Sequence, residues 1–276
     1  MEKTKENELE KTNNVLSGLS SILSSMESVL IAYSGGVDST FLLKVSLDVL
    51  GDKVLAVTSD SPTITRKELS YARNMAKELG ANHIVLKTDE MDCKDFIKNS
   101  SQRCFWCKSE LFTKLNDLAK KHGYNYVVDG SNYSDTSDFR PGLKAARKLG
   151  VRSPLIEACV TKGDIRNLLK TWGLPIWNKP STACLSSRVP YGQTISVSLL
   201  NRIEKAEDIL HKSGFNHVRV RDHNNIARIE ISVEDFSKLL DPNVKDHISR
   251  SLKELGYKYI AVDLDGYRTG SLNEAL

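Results

Sequence analysis

The sequence predicts an α/β protein, a doubly wound parallel sheet followed by a smaller C-terminal α+β domain. Three observations carry that expectation. Short apolar runs rich in Val, Ile, Leu and Ala alternate with helix-length stretches as far as Trp172. A glycine-bearing loop, Ser34-Gly35-Gly36-Val37-Asp38-Ser39, joins the first apolar run to the helical stretch after it. Beyond a segment broken by Gly173, Pro175, Pro180 and Pro190, the pattern changes to a mixed order of helices and strands.

Each element follows from local pattern. Residues 1–27 are polar with Leu16, Leu19, Ile22 and Leu23 at helical spacing, which predicts a packed N-terminal helix. Residues 28–190 read as the main domain, with strands at 29–33, 53–58, 83–87 and 125–129 and a short one at 151–155. Helices fall between them at 38–49, 65–79, 105–122 and 161–172. Such alternation places ligands at the carboxyl ends of the strands. Residues 191–276 read as the C-terminal domain: a helix at 197–212, strands at 217–222 and 226–231, helices at 233–240 and 243–255, and a last strand at 258–263.

Bulk chemistry narrows the class. With 40% hydrophobic and 27% charged residues in 276, the composition is that of a globular protein. No apolar run is long enough to span a bilayer, so no membrane partner is expected. The first ten residues lack the apolar stretch of a signal peptide, so a cytoplasmic location is expected. The net charge is +4, yet residues 191–276 hold twelve Lys and Arg against thirteen Asp and Glu. That balance argues against an appended nucleic-acid-binding module. Five cysteines in a reducing compartment read as buried thiols, metal ligands or nucleophiles rather than disulfides.

The loop at 34–39 carries the first chemistry. Two glycines let the backbone turn tightly and approach phosphate, the helix after it offers a positive end, and Ser34 and Ser39 add hydroxyl donors. The bland alternative is a Ser/Gly turn capping a helix, with Asp38 in its first turn. Neither the Gly-Lys P-loop nor the three-glycine dinucleotide fingerprint is present. The loop resembles the SGGxDS motif of the PP-loop ATP pyrophosphatases. That resemblance implies ATP held by its β- and γ-phosphates, transfer of AMP with release of pyrophosphate, and Mg²⁺ held with help from Asp38.

Cys104 and Cys107 stand at i and i+3 in Arg103-Cys-Phe-Trp-Cys-Lys108, and Cys184 lies in the later breaker-rich loop. Arg103, Lys108 and Arg188 nearby in sequence favour thiolates. A zinc site would want a fourth ligand that is not evident, and the surroundings of a thioredoxin motif are absent. The thiols read either as ordinary half-buried side chains or as three ligands of a [4Fe-4S] cluster with one open iron. Cys159, in an apolar setting, reads as a buried structural thiol; Cys93 is unassigned.

Four segments together resemble one family. They are the 34–39 loop, Asp129-Gly-Ser-Asn132 with Arg140-Pro-Gly142, Lys179-Pro-Ser-Thr-Ala-Cys-Leu-Ser-Ser-Arg188, and Val218-Arg-Val-Arg221 with Ile226-Ala-Arg-Ile-Glu230. The chain is similar over nearly its whole length to LarE, the ATP-dependent sulfur transferase of nickel-pincer nucleotide biosynthesis. The resemblance implies a pyridinium-3,5-biscarboxylic acid mononucleotide substrate, adenylated on a carboxylate and converted to a thiocarboxylate. It also implies a [4Fe-4S] cluster on Cys104, Cys107 and Cys184 carrying the sulfur, a sulfide donor, and a homo-oligomer, namely a hexamer. Carried over by position, Ser187, Arg188, Arg219 and Arg221 bind substrate, and Glu207 and Glu230 match acidic metal positions. Arg219 and Arg221, two apart on a strand, share one face. A tRNA thiolase would be marked instead by a basic RNA-binding module, and a non-catalytic ATP or iron-sulfur sensor by binding without turnover.

Overall fold

The computed structural model describes residues 2–137, 140–180 and 182–268. Its helices in chain order are α1 (Glu2–Met26), α2 (Val37–Leu50), α3 (Arg66–Glu78), α4 (Lys94–Ile97), α5 (Arg103–His122), α6 (Pro141–Lys148), α7 (Pro154–Glu157), α8 (Lys162–Thr171), α9 (Val197–Lys212), α10 (Phe236–Leu239) and α11 (Pro242–Glu254). Its strands are β1 (Val29–Ala32), β2 (Val54–Asp60), β3 (Asn82–Lys87), β4 (Tyr126–Asp129), β5 (Val218–His223), β6 (Ile226–Ile231) and β7 (Tyr259–Val262). The chain divides into two compact units. The first comprises Met1–Ser61, Arg66–Glu90 and Cys104–Thr182; the second comprises Pro62–Thr65, Met91–Arg103 and Ala183–Leu276.

In the first unit, four strands pair in parallel in the order β3-β2-β1-β4. Because successive strand residues face opposite ways, β1 sends Val29 and Ile31 to one side and Leu30 to the other. The first side packs on α1, α2, α3 and α8 through Leu19, Leu23, Phe41, Ala72 and Ile165; the second packs on α5 through Phe112, Leu115 and Ala119. Covering both faces with helices is what makes near-continuous apolar strands such as Val54–Val57 stable. The sheet is therefore doubly wound. α2 is further fixed by Phe41 stacking on Trp172 at 5.4 Å between ring centroids.

One expected strand is absent. Residues 151–155 give only an isolated bridge, Val128 to Arg152, with Asp129 N–H donating to Arg152 O at 3.0 Å. Pro154 has no N–H for a ladder, and its fixed φ suits the first turn of a helix, so the chain turns into α7. The same logic starts α6 at Pro141, a helix the apolar pattern did not announce.

In the second unit, β5, β6 and β7 form a sheet in that order, β5–β6 antiparallel and β6–β7 parallel. Phe215, Val218, Val220, Ile229 and Ile231 pack with Leu210 of α9 and Leu252 of α11. Asn99, fully buried with φ +54°, ties its outlying segment in: its Nδ2 donates to the carbonyls of Val189, Pro190 and Gln193, and its Oδ1 accepts from Arg103 at 2.6 Å. Among the described residues, no helix is long and apolar enough to cross a membrane.

Candidate active site

The strand order makes the site. β2 lies on one side of β1 and β4 on the other, so the loops after β1 and β4 diverge at a topological switch point, where open α/β sheets bind ligands. Tyr33 N–H still donates to Val57 O at 2.9 Å, so the chain leaves the sheet at Ser34. Burial pushes the Tyr33 phenol up to about 12, leaving it neutral beneath the loop. Gly35 has φ +69°, and a Cβ there would sit 2.7 Å from that of Ala72. Gly130 after β4 is equally constrained, since its Cβ would lie 2.9 Å from Ser39 N and Cα. The two loops thus touch backbone to backbone.

Hydrogen bonds fix the turn. Ser34 Oγ lies 3.0 Å from Ser39 Oγ and accepts from Gly36 N–H at 3.3 Å, while Ser39 Oγ donates to Gly36 O at 3.2 Å. Gly36 caps α2 without a side chain, so the first N–H groups of that helix are left for an external acceptor. An anion is the partner such an end favours.

Asp38 stands in the first turn of α2. Its Oδ2 accepts from Lys162 at 3.4 Å, whereas Oδ1 is buried with no hydrogen-bond partner. Burial raises the carboxyl pKa above its ordinary value, the Lys162 charge opposes this, and Asp135 adds to it. A buried, orphaned carboxylate oxygen beside an anion-binding turn fits the oxygen-ligand chemistry of Mg²⁺. Around it, Asp129 is held by Ser131 at 2.8 Å and Ser153 at 2.7 Å, and Asp135 pairs with Arg140 at 2.8 Å.

Cys104 and Cys107 open α5 on adjacent turns, Cys104 exposed and Cys107 half-buried, and their i, i+3 spacing puts them on one helix face. Cys184, in the second unit, precedes a single turn at Leu185–Arg188. Its carbonyl accepts from Ser187 Oγ at 2.8 Å and Arg188 at 2.9 Å, which holds the turn and leaves the thiol exposed. Among the described residues, no three His, Cys, Asp or Glu side chains are grouped as a metal site. Cys159 is exposed rather than buried: φ +55° after α7 turns it outward, and Val160 takes the interior position.

In the second unit, Arg188 is 1% exposed and grips Glu207 bidentately, Nε and Nη2 donating to its two oxygens at 2.9 and 3.0 Å. Glu207 also accepts from Val220 N–H at 3.0 Å. Arg221 grips Glu230 the same way at 2.8 and 3.0 Å and donates to Ser187 O; Arg228 adds a third bond to Glu230. Both oxygens of Glu207 and of Glu230 thus accept hydrogen bonds from arginines. Arg219 is the more open member of the pair on β5, half-buried beside Tyr267, its pKa lowered by burial and then by the charge of Arg188.

Residues 11–122 match the family described as NAD synthase. An uncharacterised protein of Synechocystis sp. is 42% identical over 95% of this chain and 97% of its own length. The pyridinium-3,5-bisthiocarboxylic acid mononucleotide synthase of Lactiplantibacillus plantarum is 40% identical over 92% of both chains. The chain belongs to the LarE family. An archaeal relative in Methanocaldococcus jannaschii, uncharacterised, is 35% identical over 87% of this chain.

Within this LarE chain, the structure brings Ser34 through Ser39 together as one turn, and Ser187, Arg188, Arg221, Glu207 and Glu230 together as one buried network. Ser181 of the Lys179–Arg188 stretch lies outside the described residues. Sequence reasoning missed the wall behind the phosphate loop. Glu68, Tyr71 and Ala72 share one face of α3, and Lys179 reaches both Glu68 and the Gly35 carbonyl. The helical spacing of Glu68, Tyr71 and Ala72 was visible, but nothing local points α3 at the loop.

Proposed function

We propose that this chain uses Mg-ATP to activate a carboxylate of pyridinium-3,5-biscarboxylic acid mononucleotide and replaces one carboxyl oxygen with sulfur. The observation that carries the reading is the hydrogen-bonded turn at 34–39, its helix N-terminus open to an anion and the orphaned Asp38 oxygen beside it, in a chain 40% identical over 92% of its length to a pyridinium-3,5-bisthiocarboxylic acid mononucleotide synthase. Residues 28–190 are the ATP pyrophosphatase domain and 191–276 the smaller C-terminal α+β domain, with Ser187 and Arg188 of the substrate set lying just before that boundary. The working assembly is a homo-oligomer, a hexamer, which light scattering of the purified protein would test.

The chemistry follows from the groups present. The first N–H groups of α2 and the Ser34 and Ser39 hydroxyls hold the β- and γ-phosphates, and Asp38 helps to hold Mg²⁺. A substrate carboxylate oxygen attacks the α-phosphorus, the bond to the bridging oxygen breaks, and pyrophosphate leaves. A hydrosulfide-level nucleophile then attacks the acyl carbon of the mixed anhydride, and AMP departs with the oxygen. Orientation of the two anionic partners supplies much of the rate. Ser187, Arg188, Arg219 and Arg221 serve the substrate: Arg188 and Arg221 shape the site from within, and Arg219 offers its charge to a phosphate or carboxylate. A [4Fe-4S] cluster held by Cys104, Cys107 and Cys184 would supply transferable sulfide from a donor without consuming a protein thiol.

Anaerobic reconstitution with iron and sulfide tests this, followed by turnover with the pyridinium substrate and intact-mass measurement. Pyrophosphate release dependent on that substrate and repeated turnover at unchanged protein mass are expected. Loss of one sulfur per chain would replace the cluster with sacrifice of Cys184, and ATP binding without pyrophosphate release would overturn the enzymatic reading.

A further inference from the structure

Lys179 is a charged group of the first unit that the chemistry above leaves unused. Its side chain is only 15% exposed. The ammonium donates to Gly35 O at 3.2 Å and to Glu68 Oε2 at 2.7 Å, and stands 3.7 Å from the centroid of the Tyr71 ring. Holding a largely desolvated cation against the backbone of an anion-binding turn is costly unless the charge is matched. Here it is matched by contacts from two elements at once. The face of α3 that supplies Glu68 and Tyr71 also supplies Ala72, the residue whose Cα and Cβ exclude any side chain at Gly35. One helical turn therefore both shapes the loop and fixes a positive charge beside it. An ammonium has three donors, and among the described residues two are hydrogen-bonded, which leaves one for an incoming acceptor.

We propose that Lys179 is a positioning residue for the polyphosphate end of ATP, setting the preference for ATP over AMP from the Gly35 side of the loop. The inference rests on the nucleotide reading above but not on sulfur transfer. Asp38 and Lys162 stand in a different ion pair, so the Lys179 contribution is separable from the cation site.

The test is calorimetric binding of a non-hydrolysable ATP analogue and of AMP, with Mg²⁺ present, to the full-length wild type, Lys179→Met and Lys179→Arg. Lys179→Met should lose about tenfold in affinity for the ATP analogue, roughly 1.4 kcal/mol, with AMP affinity unchanged; Lys179→Arg should recover part of the loss. If Lys179→Met fails to fold, Lys179→Gln, which keeps donors for Gly35 O and Glu68 but no charge, must show the same ATP-selective loss. Equal losses for ATP and AMP would make Lys179 merely structural, and unchanged ATP affinity would overturn the inference outright. Failure of the wild type to bind either nucleotide would overturn the nucleotide reading with it, whereas ATP binding without sulfur transfer would leave this inference standing on its own result.

Discussion

Gly35 is where backbone and packing make the same demand. Its φ of +69° costs any other residue about 1–3 kcal/mol, and the Ala72 side chain 2.7 Å from a new Cβ adds a clash. Gly35→Ala should lower the melting temperature and weaken ATP binding. Adding Ala72→Gly removes the Cβ contact but neither the backbone Cα of residue 72, 2.8 Å from the new Cβ, nor the strained φ, so the double variant should recover only part of the stability, read as a coupling in a thermal double-mutant cycle. At Asp38, the raised pKa means that the fold disfavours the charged form. Asp38→Asn should therefore melt no lower than wild type without Mg-ATP, yet lose pyrophosphate release on the order of a hundredfold or more. Arg188 is the opposite case. Arg188→Ala strands Glu207 inside the second unit at a cost of about 3–5 kcal/mol, whereas Arg188→Met with Glu207→Leu should regain most of that stability and still lose turnover. Denaturant titration beside a pyrophosphate assay separates the two effects.

Strands and helices carry a pH dependence of their own. His83 on β3 shares a 2.8 Å hydrogen bond with Thr58 on β2 and meets Tyr33 edge-on. Burial, and then the charge of Arg73, lowers its pKa from the ordinary 6.5, so the folded chain keeps it neutral where the unfolded chain binds a proton. More protons on the unfolded state make stability fall as pH drops below about 6.5. The melting temperature should decline between about pH 7.5 and 5.5, and His83→Gln should shrink that decline; His223 works in the same direction in the second unit. Most elements were legible in the sequence because their signals are local. β1, the turn at 34–39 and α2 follow one another in a single stretch, and α9 occupies the span that its apolar spacing marks. The segment 151–155 misled because one bridging residue before a proline looks like a strand start. Cys159 misled because its apolar neighbours, not the thiol, take the interior. The grip of Glu68 on Lys179 spans 111 residues of sequence, and no local pattern encodes a contact made only by folding.

For the whole molecule, the net charge of +4 lies outside residues 191–276. The C-terminal residues are nearly balanced, and Arg188 and Arg221 are turned inward onto Glu207 and Glu230. The proposed reaction must orient a nucleotide and a phosphorylated dicarboxylate, for which one unit offers a turn with an open helix N-terminus and the other an internally braced arginine pair. The most direct measurement is a stoichiometry. Anaerobically reconstituted protein is given Mg-ATP and pyridinium-3,5-biscarboxylic acid mononucleotide, and AMP, pyrophosphate and thiocarboxylate are counted together. Equal amounts of all three are expected. Release of ADP and phosphate, or pyrophosphate formation indifferent to the pyridinium compound, would contradict adenylation-driven sulfur transfer.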